Sequence, residues 1–158
     1  ITLMAPSKTY NLPGLGCSFA VIPDKGLRTR FQAAMNGVVP HVNALGFTAA
    51  LAAYRQSGDW LKELLAYLRG NRDLVEEILS MTPALSVPHI EATYLAWIDT
   101  RGTGLENPAA FFEKAGVGLW DGRDFGGSNA VRLNFACNRV LLAKALERMK
   151  KALSQHLS

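Results

Sequence analysis

Only two cysteines, Cys17 and Cys137, and three histidines, His41, His89 and His156, occur in these 158 residues. Two distant cysteines do not make a disulfide framework. Neither residue type recurs at the spacing of a metal site, so no metal is expected. Reduced thiols in a cytoplasmic protein are the simplest account. No apolar run reaches the about 20 residues that a membrane helix needs, so no membrane role is expected. Acidic residues are the scarcer charge, 13 against 17 lysines and arginines, for a net charge of +4. The basic residues are scattered apart from Arg148-Met149-Lys150-Lys151. That cluster falls in the last turns of an expected helix, where cations offset the helix dipole. No nucleic-acid motif accompanies it, so no nucleic-acid partner is expected.

A hydrophobic fraction of 49% with 19% charge belongs to a folded chain, long enough for one ordinary domain or two small ones. Residues 1–5 read as a short buried strand and 17–22 as a second, closed by Pro23-Asp24. Leu27, Phe31, Ala34, Met35 and Val38 recur at helical spacing and predict a helix over 25–37. The small, apolar stretch 43–56 predicts a helix buried on several sides. Asp59 is an N-cap type, and the apolar stripe from Trp60 to Leu79 predicts one long helix ending before Pro83.

The period then changes. Residues 94–99, 117–120 and 130–136 read as strands, and 108–115 and the stretch around Leu142–Leu153 as helices. The glycine-rich run 121–129 lacks a phosphate-loop pattern and reads as a flexible loop. Strand, helix, two strands and helix make a small α+β layer.

Two residues could carry chemistry. Lys8 lies in Ala5-Pro6-Ser7-Lys8-Thr9-Tyr10-Asn11-Leu12, after an apolar segment and before Pro13-Gly14. An enclosed lysine there would lose its ammonium form and become a nucleophile that condenses with an aldehyde. The alternative is an ordinary solvated lysine. Arg132 shares a strand face with Asn134, while Val131, Leu133 and Phe135 share the other. Its permanent charge needs an anionic partner, and its fork fits a carboxylate. An internal salt bridge, to Asp99 for instance, or a solvated sheet face would serve as well.

Ser7-Lys8-Thr9-Tyr10-Asn11 followed by Gly14-Leu15 resembles the cofactor-lysine motif of aminotransferase class I/II enzymes that use pyridoxal 5'-phosphate (PLP). The nearest branch is the cystathionine β-lyase, or C–S lyase, group. Its usual pattern is Ser-Lys-Thr-Phe-Asn and then Ala-Gly-Leu, with Tyr10 and Pro13 as the departures here. Val131-Arg132-Leu133-Asn134-Phe135-Ala136-Cys137-Asn138-Arg139 resembles the segment bearing the family's carboxylate arginine. Ala92-Thr93-Tyr94-Leu95-Ala96-Trp97-Ile98-Asp99 is worded like the family too.

The resemblance implies an α/β protein, the C-terminal part of a fold-type I PLP enzyme. Residues 1–82 would end the large PLP-binding domain with its long connecting helix, and 83–158 would form the small α+β domain. It implies Lys8 as covalent anchor of PLP, Ser7 as a further cofactor contact and Arg132 as ligand of the substrate carboxylate. Ala5 and Gly16 stand where related enzymes place a serine and a basic residue for the phosphate. A homodimer acting on an amino acid is implied, either a C–S β-lyase or an aminotransferase. This chain alone is expected to be inactive. A rival reading is a non-catalytic aminotransferase-like domain that binds a ligand or a regulatory partner.

Overall fold

The computed structural model describes residues 1–82 and 84–157. Pro83, where the sequence reading starts the second domain, lies outside the described residues. The chain divides into two compact units, Ile1–Leu64 and Leu65–Ser158.

In the first unit β1 (Thr2–Met4) and β2 (Phe19–Val21) form an antiparallel ribbon with Leu3 opposite Ala20. Both strands are exposed along their length, against the expectation of a buried strand at 1–5. A two-stranded ribbon has no second layer of its own to bury a face. Between them come the short helix α1 (Pro6–Thr9) and a 3-10 turn at Pro13–Leu15. Asp24 caps α2 (Lys25–Met35) by accepting from the Leu27 N–H at 2.6 Å. Asn43 caps α3 (Ala44–Gln56) by accepting from the Gly46 N–H at 2.8 Å.

The expected burial of α3 is not met, since only Gly46 and Ala53 are buried. Leu45 and Phe47 stay 71% and 62% exposed. In its unit α3 makes a close approach at Gly46 and ring contacts through Tyr54, which leave Leu45 and Phe47 uncovered. A Cβ built on Gly46 would come within 2.6 Å of the Leu15 carbonyl oxygen. The long helix α4 (Gly58–Ser80) opens one residue before the expected cap, with Asp59 in its first turn. A carboxylate there still offsets the positive end of the helix dipole.

The second unit holds the core. Its sheet has the order β3-β5-β4, with β3 (Leu95–Asp99) and β4 (Trp120–Asp121) both antiparallel to the central β5 (Ala130–Asn134). Ala96, Ile98, Val131 and Leu133 are buried on one face of this sheet. Val75 and Leu79 of α4, Phe112 of α5 (Pro108–Lys114) and Leu142, Leu146, Met149 and Leu153 of α6 (Arg139–His156) complete the cluster. The α6 positions recur at four, three and four residues, which is one helix face. The unit boundary falls inside α4 because the C-terminal half of that helix supplies core residues here.

Candidate functional site

Lys8 sits in the last turn of α1, which Pro6 opens from the end of β1. Tyr10 N–H donates to the Pro6 carbonyl at 2.8 Å, and Leu12 N–H to the Ser7 carbonyl at 2.9 Å. Asn11 then turns the chain with a φ of 55°, a conformation asparagine tolerates better than most residues. Tyr10 anchors the turn, its ring 5.3 Å edge-on from Tyr54 and 6.4 Å from Trp60 in a stacked pair. The Asn43 side-chain amide donates to the Leu15 carbonyl at 3.4 Å and ties the following turn to α3. Lys8 is thus carried on a fixed support although its own side chain is exposed.

The enclosed setting expected for Lys8 is therefore not supplied by the described residues, because the ribbon and α1 lack a covering layer. Its ammonium makes no ion pair or hydrogen bond among the described residues. Ser7 is half-buried and Thr9 exposed, and neither hydroxyl has a partner there.

Arg132 belongs to the second unit. It projects from the middle of β5, opposite Trp97 of β3 and Trp120 of β4. It is half-buried, on the sheet face away from the core. The carbon of its guanidinium lies 3.8 Å from the centroid of the Phe125 ring and 5.5 Å from that of Trp120. Its Nε is buried without a hydrogen-bond partner, and among the described residues it has no ion pair. The internal salt bridge considered from the sequence does not form among the described residues.

Asp99 goes instead to Arg101, whose Nε donates to it at 2.8 Å. Asp121 is taken the same way by Arg123, with Nε donating at 3.0 Å. Each pair is a local fork between residues two apart, just beyond the strand on either side of Arg132. Asp99 and Asp121 are thereby paired with arginines other than Arg132. The Arg123 guanidinium, then the Arg123 N–H, lower the Asp121 carboxyl from 3.8 to about 2. Asp99 is lowered too, first by the Arg101 side chain and then by its N–H.

A depressed folded-state value means that the fork's contribution is present above the ordinary carboxylate value and is lost as pH falls through the folded one. An NMR titration of the Asp121 carboxyl should accordingly show a midpoint of about 2. Arg123→Gln should return that midpoint towards 3.8, and an unchanged midpoint would show that Arg123 is not the cause.

The run 121–129, expected as a flexible loop, is a folded turn. Gly122–Phe125 form a 3-10 helix, and Gly127 N–H donates to the Gly122 carbonyl at 2.9 Å. Its glycines have a packing reason. A Cβ on Gly122 would come within 2.6 Å of the Ala130 carbonyl oxygen, and one on Gly127 would run into the Trp97 indole. The product of this packing is Phe125 laid against Arg132.

A second arginine in the same stretch of sequence has the opposite fate. Arg139 donates from Nε to the Asn71 side-chain oxygen at 2.9 Å and from Nη2 to the Tyr67 carbonyl at 2.8 Å. Asn71 is fully buried and donates to the carbonyls of Phe135 and Cys137 at 2.8 and 2.9 Å. It clasps the exit of β5 onto α4, a role the sequence reading missed because Asn71 lies within the long apolar stripe. The signal was there: an amide at an inward helical position needs partners. Asn71→Ala would leave two carbonyls and a guanidinium N–H without it. The expected cost is about 2–4 kcal/mol, read from the urea midpoint of unfolding. A loss near zero would mean that water replaces the amide fully.

Cys17 and Cys137 are free thiols, and burial pushes the Cys137 thiol up. Among the described residues no cluster of three metal-ligating side chains occurs. No described helix is long and apolar enough to cross a membrane.

The sequence pattern of the family described as aminotransferase class I and II matches residues 1–149, and the chain belongs to that family. It is 38% identical over 162 residues to cystathionine β-lyase PatB of Bacillus subtilis, covering 98% of this chain and 42% of PatB. The crystal structure of OvoB superposes with a TM-score of 0.94 at 49% identity, over 96% of this chain and 40% of that one. Cystalysin of Treponema denticola, whose structure contains PLP, superposes with a TM-score of 0.88 at 31% identity, over 97% of this chain and 41% of that one. The fold is that of fold-type I PLP-dependent enzymes. The chain spans about two fifths of the length of these relatives.

The residues present fit PLP at one point. An aldehyde needs an accessible amine that is not held by a carboxylate, and Lys8 meets that on a fixed turn. Ser7 and Thr9 offer unengaged hydroxyls beside it.

Proposed function

We propose that this chain is the C-terminal part of a PLP-dependent C–S β-lyase of the cystathionine β-lyase type, which releases pyruvate, ammonia and a thiol from its amino-acid substrate. Residues 1–82 end its large domain, and 83–158 are its small domain. The observation that carries the reading is the contrast between Arg132 and its neighbours. Arg101, Arg123 and Arg139 each hold a partner within the chain, whereas Arg132 has no hydrogen-bond or ion-pair partner among the described residues. A free fork among aromatic rings suits an external carboxylate.

PLP at Lys8 supplies an electron sink for bonds at the substrate Cα. The Lys8 amine takes the Cα proton as general base, the electron pair left at Cα forms the Cα=Cβ double bond as the thiolate leaves Cβ, and the proton is available to that thiolate. Arg132 grips the α-carboxylate and so limits how the bound substrate can turn. Ser7 is a hydroxyl contact for the cofactor. The exposed apolar residues of β1, β2 and α3 are covered by the rest of the large domain and by a second subunit of a homodimer, so the isolated chain does not turn over. Its place is the cytoplasm.

Lysine and arginine serve an aminotransferase equally well, and the family includes that activity in its description. The wording Ser7-Lys8-Thr9-Tyr10-Asn11 favours the lyase. Incubating the complete PLP-loaded enzyme with L-cystathionine separates the two. Pyruvate with free thiol is the expected result. Conversion of the cofactor to its amine form without pyruvate would make the enzyme an aminotransferase. Neither change would favour a ligand-binding or regulatory domain.

A further inference from the structure

We infer that Phe125 is a positioning residue for the substrate carboxylate, because its ring carries the flat face of the Arg132 guanidinium and leaves the N–H edge free. The inference rests on the reading of Arg132 as the carboxylate ligand.

A guanidinium can be fixed in two ways. Hydrogen bonds to a carboxylate consume the N–H donors that a substrate needs. Stacking on a ring holds the cation through its face and consumes none of them. Arg132 is held in the second way, 3.8 Å from the Phe125 centroid. Phe125 is itself braced edge-on by Trp97 at 6.4 Å and Trp120 at 6.3 Å. Trp97, Trp120 and Phe125 come from β3, β4 and the turn after β4, so all three sides of the support are set by the sheet and its folded turn. The Nε of Arg132 is buried and without a hydrogen-bond partner, so ring contacts and not a hydrogen bond hold that end of the guanidinium.

Holding a long side chain in place before binding removes part of the ordering cost of the complex. Phe125 remains 46% exposed, so its replacement does not open the core.

The test uses the complete PLP-loaded enzyme with L-cystathionine as substrate and propionate, a carboxylate without an amine, as competitive inhibitor. Phe125→Leu should raise both KM and the propionate inhibition constant by about tenfold, with kcat little changed. Phe125→Tyr should restore both. Phe125→Met, which keeps bulk and flexibility without a ring, should behave like the leucine variant and covers the case in which that variant fails to fold. On an Arg132→Lys background Phe125→Leu should add almost nothing, since the stacked partner is already gone. A merely structural role would give the same increment on either background.

An unchanged inhibition constant in Phe125→Leu and Phe125→Met, or a full increment on the Arg132→Lys background, would overturn the inference. If Arg132→Lys is impaired and the Phe125 variants are not, the stacking role alone falls. If Arg132→Lys itself leaves KM and propionate binding unchanged, the carboxylate reading falls and this one with it.

Discussion

Lys8→Ala and Lys8→Arg are both expected to reduce turnover of the complete enzyme by at least about 10²–10⁴-fold, the contribution of a positioned acid–base group. The arginine variant keeps the charge and much of the length. It cannot give up its proton at working pH, so it neither attacks an aldehyde nor takes a proton from Cα. A loss in the alanine variant alone would point to a charge requirement. An equal loss in both points to the amine itself. Borohydride reduction of the PLP-loaded enzyme should make the lysine–cofactor link permanent on the peptide containing Lys8. Label on another lysine would remove Lys8 from the centre of the reaction. The turn that presents Lys8 gives a further expectation. Tyr10 rests on Tyr54 and Trp60, so both variants should keep the local fold, because neither alters those contacts.

How much of this could be read from the sequence depends on whether a segment carries its own partners. The strand at 130–134 and the α6 stripe were legible because their apolar residues face a core made from the same 158 residues. The two arms of the ribbon were legible as strands, but their burial was not, since an apolar strand pattern does not reveal whether its covering layer lies in the same chain. The same holds for α3. Its composition reads as buried, whereas Leu45 and Phe47 stand open in the described residues.

At the candidate site the two charged residues were legible and their surroundings were not. Lys8 and Arg132 stand out by residue type and motif. The rings around Arg132 depend on strand register, on a two-residue strand and on glycines that let a turn close against Trp97. None of these has a signature in a single sequence. Two Asp-x-Arg forks at matching sheet positions could have been noticed as local pairs. Their consequence for Arg132 needed the register.

Arg132 supplies the other large effect. Arg132→Lys is expected to raise KM for L-cystathionine by roughly 10–100-fold, because an ammonium keeps the charge but loses one of two charge-assisted hydrogen bonds, worth about 1.5–3 kcal/mol. The change in kcat should be smaller, since a carboxylate grip acts on bound substrate and transition state alike. Stability should move in a different way. An arginine engaged in an internal salt bridge would cost stability when replaced, as a partner is left buried without its charge. Arg132 has no such partner among the described residues, so its replacement leaves no carboxylate stranded. Its urea midpoint should therefore stay close to that of the unaltered enzyme. Arg139→Lys should do the reverse, lowering the midpoint by breaking the clasp with Asn71 and Tyr67 while leaving KM nearly unchanged. The pair of measurements separates two arginines that the sequence places seven residues apart. A lowered midpoint with normal kinetics in Arg132→Lys would make it a structural residue and would return the search for the carboxylate ligand to the rest of the enzyme.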